Sequence, residues 1–257
     1  MRSEPAHRSE QVTQILFGET VDVLQKAGEW LHIRCVWDGY EGWAEAVQLT
    51  VVSDSWHEKQ AKNQVFAFEL LHAASSDNFF LPVPLGASLP YYDGINLCLN
   101  DTRYSYNGQV LDVKILLSET INLADFALKI ARRYLHSPYL WGGRSPFGID
   151  CSGLTQMVFR MIGVALPRDA SLQVACGETV DLRENALPAD LAFFENKDGK
   201  ITHVGILIDA QTILHASGQV RIDRLDEFGI FNANLQIHTH KLHCIKRILG
   251  TACTSVA

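Results

Sequence analysis

Residues 150–163 read DCSGLTQMVFRMIG, a stretch that sets a cysteine at the start of an amphipathic helix. Its apolar residues recur at positions i, i+3, i+4, i+7 and i+8, namely Leu154, Met157, Val158, Met161 and Ile162. That spacing predicts a helix that begins beside Cys151 and ends near Gly163, with Asp150 as its N-cap. The backbone N–H groups of the first turn and the positive end of the helix dipole would then favour a Cys151 thiolate.

The position of Cys151 is suited to nucleophilic catalysis. A thiolate attacks a carbonyl carbon, and first-turn N–H groups can bind the oxyanion that forms. The alternative for a lone cysteine is a small buried apolar side chain. A nucleophilic role therefore requires a base from another part of the chain.

Two histidines downstream of Cys151 supply that base. A hairpin that turns at residues 209–211 and pairs Ile208 with Thr212 makes His203 and His215 diagonal neighbours on one face. One imidazole can act as general base while the other fixes its tautomer and orientation. An imidazole near its usual pKa predicts activity that rises between about pH 6 and 7. Two unrelated histidines in a buried hairpin are the alternative.

The flanking patterns define the fold class around this cysteine. Residues 122–135 show helical spacing, and strand-like runs follow from Leu191: LAFFE (191–195), THVGILID (202–209), TILHAS (212–217), VRI (220–222) and LQIHTHKLHCIKRIL (235–249). Helices followed by a run of strands predict an α+β domain in which helices pack on an antiparallel sheet.

The N-terminal half is rich in short strand-like runs and turn residues. Residues 12–49 alternate in this way and end in WDGYEGW (37–43), which resembles bacterial SH3-like domains, small antiparallel barrels. Residues 51–117 contain further strand-like runs, QVFAFELLH (64–72), NLCLN (96–100) and VLDVKILL (110–117), around a stretch rich in Pro and Gly. We expect all-β SH3-like barrel modules at 1–50 and 51–117, the second more divergent, followed by a catalytic domain at 118–257. A helix-free linker domain is the alternative for 51–117.

Composition excludes several classes of partner. The chain has 257 residues, 47% of them hydrophobic, and a formal net charge of −7 without any block of Lys or Arg, so we expect no nucleic-acid partner. No stretch approaches the roughly 20 apolar residues of a membrane helix, so no membrane partner is expected. Residues 1–11 lack the apolar run of a signal peptide, and we expect a cytoplasmic protein. Six cysteines without a C-x-x-C pair predict reduced thiols. We expect no cofactor.

Three segments together carry a family resemblance. They are YLWGGRSPFGIDCSGLTQMVFRMIGVALPRDASLQ (139–173), LPADLAFF (187–194) and ITHVGILI (201–208). Their combination resembles the NlpC-type cysteine peptidases of bacteria, over residues 122–250. The resemblance implies a papain-like core with Cys151 as nucleophile, His203 as base and His215 as orienting residue. Ala189 departs from the family pattern, which has Gly before Asp190.

The SH3-like modules narrow the resemblance to a subgroup. The arrangement is similar to bacterial dipeptidyl-peptidases that cut murein peptides between γ-D-glutamate and a diamino acid and require a free N-terminal L-Ala. The positions implied to contact substrate are Glu10, Tyr40, Tyr139, Asp150, Ser152 and Ser171. Asp150 would serve both as helix cap and as ligand of the substrate ammonium group.

Other functions remain open at this stage. Strand alternation puts His238, His240 and Cys244 on one face, a set compatible with zinc, but no paired ligand motif supports it and we expect no metal. An inactive peptidase-like protein that binds wall fragments is a second hypothesis. An exported endopeptidase that remodels intact peptidoglycan is a third.

Overall fold

The computed structural model describes residues 1–60, 64–77, 79–100 and 102–250. These residues form two compact units. The first comprises Met1–Glu119 together with Arg144–Pro146, and the second comprises Thr120–Gly143 and the described chain from Phe147 onward. In the described part of the chain, no helix has both the length and the apolar character that crossing a membrane requires.

Strands dominate the first unit. Its elements are β1 (Val21–Ala27), β2 (Trp30–Cys35), β3 (Glu41–Glu45), α1 (Asp54–Gln60), β4 (Val65–Ala67), β5 (Leu71–Ser75), β6 (Phe80–Pro84), β7 (Asn96–Leu99), β8 (Thr102–Ser105), β9 (Val110–Asp112) and α2 (Val113–Ser118). The sheets have the orders β1-β2-β3, β4-β9 and β6-β5-β8-β7, with antiparallel pairing. The strand-rich character agrees with the sequence pattern, while SH3-like barrels remain a prediction.

Two expectations within residues 51–117 were wrong. The run VLDVKILL is not one strand, because α2 begins at Val113. The side chain of Asp112 accepts hydrogen bonds from the backbone N–H groups of Lys114 and Ile115, which is the geometry of an N-cap. The run QVFAFELLH splits into β4 and the start of β5. The helices α1 and α2 also rule out a helix-free segment.

The second unit combines helices with a closed sheet. Its elements are α3 (Leu123–Arg133), β11 (Gly148–Ile149), α4 (Cys151–Met161), α5 (Ala170–Gln173), β12 (Glu178–Thr179), β13 (Leu191–Glu195), β14 (Ile201–Asp209), β15 (Thr212–Ser217), β16 (Gln219–Asp226), β17 (Gly229–Asn232) and β18 (Ile237–Arg247); β10 (Arg144–Ser145) precedes β11 in the chain but belongs to the first unit. The antiparallel order β12-β18-β13-β14-β15-β16-β17 closes where β18 also pairs with β17. The α+β class is therefore confirmed, and the papain-like arrangement stays a prediction.

The helix α4 packs against β14 and β15, and α3 packs against α4. The apolar side chains of α4 that the sequence placed on one face, such as Leu154, Met157 and Val158, are fully buried. Each contributes about 1.5–3 kcal/mol of apolar burial. This packing fixes the start of α4, and with it Cys151, against the middle of the sheet.

The hairpin register agrees with the prediction, but the turn is tighter. Gly205 pairs with His215 and Leu207 with Ile213, as expected, whereas Thr212 pairs with Asp209 rather than Ile208. A bulge between Leu207 and Asp209 absorbs the difference. The two histidines therefore keep their predicted diagonal relationship.

Ala189 is buried and has a φ of 67°, in the left-handed region that favours glycine. Its backbone N–H donates to the carbonyl of Leu207 at 2.8 Å. This backbone conformation suits the glycine that the family resemblance leads us to expect at the position of Ala189.

Candidate active site

The thiol of Cys151 lies in the first turn of α4, as the sequence predicted. Asp150 has an extended backbone, and its side chain accepts a hydrogen bond from the N–H of Gly153 at 2.7 Å. The Cys151 sulfur also lies within hydrogen-bonding reach of the backbone N–H groups of Ser152 and Val204. Because Val204 directly follows His203 on β14, the thiol lies beside the strand segment that carries this histidine.

A buried arginine neutralises Asp150. Arg168 Nη1 and Nη2 donate to the two carboxylate oxygens at 3.0 and 2.6 Å, and the N–H of Gly142 donates to Oδ2 at 2.8 Å. With Gly153 N–H and the Ser152 hydroxyl, five donor groups contact a carboxylate that has about four lone-pair sites. This geometry argues against the second expected role of Asp150, as ligand of a substrate ammonium group.

Ser152 is held in the same network. Its hydroxyl accepts from Arg168 Nη1 at 2.9 Å, and its carbonyl accepts from Gln173 Nε2 at 3.0 Å and from the Thr155 hydroxyl at 2.9 Å. Oε1 of Gln173 lies 2.7 Å from the Thr155 hydroxyl and shares its single proton with the Ser152 carbonyl, and Nε2 of Gln173 donates to the Pro167 carbonyl at 2.8 Å. The buried side chain of Ser152 thus orients the first turn of α4, and its backbone N–H is the part that faces the thiol.

A chain of buried polar groups extends from the base. Nε2 of His203 lies 2.9 Å from Nδ1 of His215, and Nε2 of His215 lies 3.0 Å from Oδ2 of Asp223. Arg221 Nη2 donates to the other oxygen of Asp223 at 2.8 Å. His203, His215 and Asp223 are all buried.

This chain fixes the tautomers of both imidazoles. Hydrogen bonds from His215 and Arg221 lower the pKa of the Asp223 carboxyl against the effect of its burial, so Asp223 is ionised and can only accept. His215 then carries its proton on Nε2 and accepts at Nδ1 from Nε2–H of His203. Nδ1 of His203 is left as the nitrogen that can accept a proton, which is what the predicted role of this residue as base requires.

The charge state of the pair differs from the expectation. Burial is the largest influence on both groups: it raises the pKa of the Cys151 thiol to about 12, assisted by Asp150, and it lowers the pKa of His203 well below 6.5, assisted by His215 and His240. Both shifts favour a neutral thiol and a neutral imidazole in the free enzyme. They oppose the expected thiolate and move the expected rise of activity from about pH 6 to 7 toward lower pH.

Sequence comparison places these residues in a known family. Residues 136–238, which include Cys151, His203 and His215, match the NlpC/P60 family, and residues 1–49 match the bacterial dipeptidyl-peptidase SH3 domain. The gamma-D-glutamyl-L-lysine dipeptidyl-peptidase of Bacillus subtilis (strain 168) is 32% identical over 217 residues, covering 79% of this chain and 71% of the relative. The chain belongs to the NlpC/P60 family. It is a cysteine peptidase.

Further relatives agree with this assignment. A Bacillus cereus (strain ATCC 10987 / NRS 248) protein, also named gamma-D-glutamyl-L-lysine dipeptidyl-peptidase, is 29% identical over 227 residues, which cover 79% of this chain and 66% of that protein. The crystal structure of an NlpC/P60 family protein from Bacillus cereus ATCC 10987 superposes with a TM-score of 0.75 at 25% identity, covering 93% of this chain and 82% of that one.

Tyr139 is the other predicted contact residue that the NlpC/P60 unit places near the thiol. Its backbone N–H donates to the Gly218 carbonyl at 3.0 Å. Burial, then the proximity of Cys151 and Asp150, raises the pKa of its phenol, so the hydroxyl stays protonated and can donate to substrate. Ser171 lies exposed on α5, and no contact of its side chain supports its predicted role.

Glu10 and Tyr40 belong to the first unit. The Glu10 side chain is exposed, and its carbonyl accepts from the N–H of Ser3 at 2.9 Å. Tyr40 is half-buried, and its N–H donates to Asp38 at 3.0 Å. Their predicted roles as substrate contacts stay predictions.

The histidines considered as zinc ligands do not converge. His238 Nε2 lies 2.9 Å from the carboxylate of Asp226, whereas the His240 ring lies against His203 with 4.1 Å between ring centroids. Among the described residues, no group of three His, Cys, Asp or Glu side chains could hold a metal ion. A bulge between Ile230 and Phe231 in the β17–β18 pairing breaks the alternation on which the zinc hypothesis rested.

Several functional residues were missed from the sequence. Arg168 and Gln173 lie within the motif at 139–173, and Arg221 and Asp223 lie in or directly after the strand-like run VRI (220–222). The sequence pattern gave no role to any of the four. An Arg and an Asp two residues apart on one strand face, beside a strand with a candidate catalytic histidine, are the signal that could have identified the latter pair.

Proposed function

We propose that this peptidase hydrolyses the γ-D-Glu–diamino acid bond of murein peptides that carry a free N-terminal L-Ala, and releases L-Ala-γ-D-Glu. The hydrolytic part rests on the hydrogen-bonded chain from His203 through His215 to Asp223 beside the Cys151 thiol. The choice of substrate is supported by the names of the Bacillus relatives and by the match of residues 1–49 to a dipeptidyl-peptidase SH3 domain.

The first half of the reaction forms a thioester. Sγ of Cys151 attacks the carbonyl carbon of the scissile amide while its proton passes to Nδ1 of His203. The imidazolium that forms keeps its Nε2–H bond to His215, whose own Nε2–H is held by the ionised Asp223. The oxyanion develops at the N-terminus of α4, where the backbone N–H of Ser152 lies beside the thiol. The proton on Nδ1 then passes to the departing diamino-acid nitrogen, and the C–N bond breaks.

The second half returns the enzyme to its starting state. Water attacks the thioester carbon and gives its proton to Nδ1 of His203. The C–S bond breaks, the sulfur recovers that proton from His203, and the γ-carboxylic acid of the released dipeptide loses the second proton of the water to solvent. Every proton transfer uses the same nitrogen, which requires the His203 ring to keep one orientation through both halves.

Recognition of the substrate amine is assigned to Glu10 and Tyr40, with Tyr139 as a phenol donor. Since Arg168 already neutralises Asp150, Glu10 supplies the carboxylate for the ammonium group. The Glu10 side chain is exposed in the free chain, and we propose that bound substrate desolvates it. An acylated nitrogen has lost its charge and would leave that desolvated carboxylate unpaired, at a cost of about 2–5 kcal/mol. We therefore expect a preference of tens to thousands of fold for the free amine.

A cytoplasmic role in murein recycling follows from this preference. In intact murein the alanine nitrogen is an amide, and only peptides released from the glycan offer the ammonium group. In this proposal, a papain-like catalytic core follows the SH3-like modules along the chain.

The test compares L-Ala-γ-D-Glu-L-Lys and its diaminopimelate analogue with their N-acetylated forms, by mass spectrometry of the products. Release of L-Ala-γ-D-Glu from the free peptides, at a kcat/KM at least tenfold above that of the acetylated ones, is expected. Comparable kcat/KM values would point instead to an endopeptidase of intact wall. In Glu10→Gln the preference should shrink, and an unchanged preference would remove Glu10 from the site. Cys151→Ala serves as the inactive control.

A further inference from the structure

His203 is enclosed by three other rings. The ring of His215 meets it edge-on, with 5.1 Å between centroids and an interplanar angle of 84°. Phe194 lies at 5.6 Å and 46°. His240 is stacked on it, at 4.1 Å and 27°. The hydrogen bond to His215 fixes one edge of the His203 ring, and His240 provides the flat surface against one of its faces.

A bulge in β18 places His240 there. His240 pairs with Ile230, but the next pair joins Phe231 with His238, so Thr239 is the extra residue. The Thr239 hydroxyl lies 3.4 Å from the Ile230 carbonyl and 2.9 Å from Nδ1 of His240. If the hydroxyl donates to that carbonyl, its oxygen accepts from Nδ1–H of His240. Bulges beside active sites commonly re-aim a side chain in this manner.

Gly229 allows β17 to come close to this position. Its φ is 131°, and a Cβ atom built there would lie 1.8 Å from the backbone oxygen of His240. A side chain at position 229 would therefore displace the backbone of His240. Two features of local backbone, a bulge and a glycine, thus serve the placement of one ring.

The charges around His203 suit a neutral stacked ring. The titratable groups around it are His215 from β15, with Asp223 behind it on β16, and His240 from β18. Cys151 from α4 lies beside Val204, the next residue of β14, and Phe194 from β13 carries no charge. Burial and then His215 lower the pKa of His240 to about 4, so the ring is uncharged at neutral pH. A neutral π face beside His203 does not repel the imidazolium that forms when Cys151 gives up its proton.

We propose that His240 is a positioning residue that, by stacking, holds the His203 ring in the one orientation in which Nε2 bonds His215 and Nδ1 faces Cys151. His240 lies beyond residues 136–238, the part of the chain that matches the family, so the device is not part of the matched segment. The inference rests on the proposed role of His203 as base, not on the identity of the substrate.

The experiment compares three substitutions. His240→Phe keeps a flat ring, His240→Leu keeps volume without a flat ring, and His240→Ala removes both. His238→Ala is the matched control, an exposed histidine on the same strand. Two measurements are made: kcat and KM on L-Ala-γ-D-Glu-L-Lys, and the rate at which iodoacetamide alkylates Cys151, followed by peptide mass spectrometry across pH 4 to 9. Alkylation reports proton transfer to His203 without any peptide substrate.

Misplacing a catalytic group by about 1 Å can cost roughly a hundredfold in rate. We expect His240→Ala and His240→Leu to lose about ten- to a hundredfold in kcat and in alkylation rate at pH 7, with KM within about twofold of wild type. We expect kcat and alkylation rate of His240→Phe and His238→Ala to stay within about threefold of wild type. Equal loss in the Phe and Leu variants, or near-wild-type rates in His240→Leu, would overturn the stacking role. Should His240→Ala fail to fold, the Phe–Leu comparison still decides. If wild type cleaves none of the peptides but its alkylation follows this order, the proposed substrate fails and the positioning role stands.

Discussion

Arg168 contacts both carboxylate oxygens of Asp150, the residue directly before the nucleophile, and both side chains are buried. The pair joins the loop after α4 to the start of α4. Asp150 caps the helix that carries Cys151, so the ion pair determines where the thiol sits. Lysine could not reproduce it, because an ammonium group lacks the planar fork that binds two oxygens.

Arg168→Met should lower the free energy of unfolding by about 3–5 kcal/mol, since it leaves the Asp150 carboxylate buried without its partner. Urea denaturation followed by circular dichroism measures this. Arg34→Met, which breaks the exposed pair of Arg34 and Asp22, is the control and should cost no more than about 1 kcal/mol. Similar losses in the two variants would mean that the Asp150 ion pair has no special structural role.

The helix at Cys151 and the histidine pair were predictable because local patterns encode them. A 3.6-residue period and an N-cap residue define the start of α4, and strand parity brings His203 and His215 to one face. The contacts of Arg168 depend on chain segments whose meeting no local period describes, whereas Asp223 is a diagonal neighbour of His215 across the β15–β16 hairpin, a relation that strand parity also describes. The position of His240 depends on a bulge, which shifts alternation by one residue and gives no signal in the hydrophobic pattern. Burial opposes the effect of the helix dipole on the pKa of Cys151, and burial is not visible in the motif.

Replacing the cysteines one at a time should separate the nucleophile from the other thiols. Cys151→Ala is expected to fold and to lose several orders of magnitude in kcat, because removing a nucleophile removes the step that it performs. Cys35, Cys98, Cys176 and Cys244 form no disulfide bond, and none of them lies at the start of α4. Their alanine variants should retain most activity. The same is expected of Cys253→Ala, a substitution at a position outside the described residues. Turnover by Cys151→Ala would refute the mechanism.

The three members of the hydrogen-bonded chain should differ in their effect on kcat. His203→Ala removes the proton acceptor and should lower kcat by about 10²–10⁴-fold. His215→Asn keeps a group that can accept from Nε2–H of His203 and should retain part of the activity. The kcat of Asp223→Asn should lie between those of wild type and His203→Ala, because an amide no longer forces the His215 proton onto Nε2. The measurement is kcat and KM at pH 7 for all three. Equal losses at His203 and His215 would mean that their roles are misassigned.

The pH profile of kcat/KM tests the neutral thiol–imidazole pair together with the proposed substrate. The base works only when unprotonated, and a pKa of His203 well below 6.5 moves the acid-side fall of activity to below pH 6. Burial holds the pKa of the Cys151 thiol at about 12, so formation of a free thiolate adds no rise between pH 7 and 9. The substrate supplies an alkaline limb instead, because its α-amine has a pKa of about 8 and binds as the ammonium form. We therefore expect a plateau between about pH 6 and 7.5 and a fall above about pH 8 that is carried by KM.

Iodoacetamide alkylation of Cys151 involves no substrate amine and should lack that fall. An inflection in kcat/KM between pH 6 and 7 would contradict the lowered pKa of His203. If peptide hydrolysis and alkylation both fell at alkaline pH, the group that titrates there would belong to the enzyme rather than to the substrate.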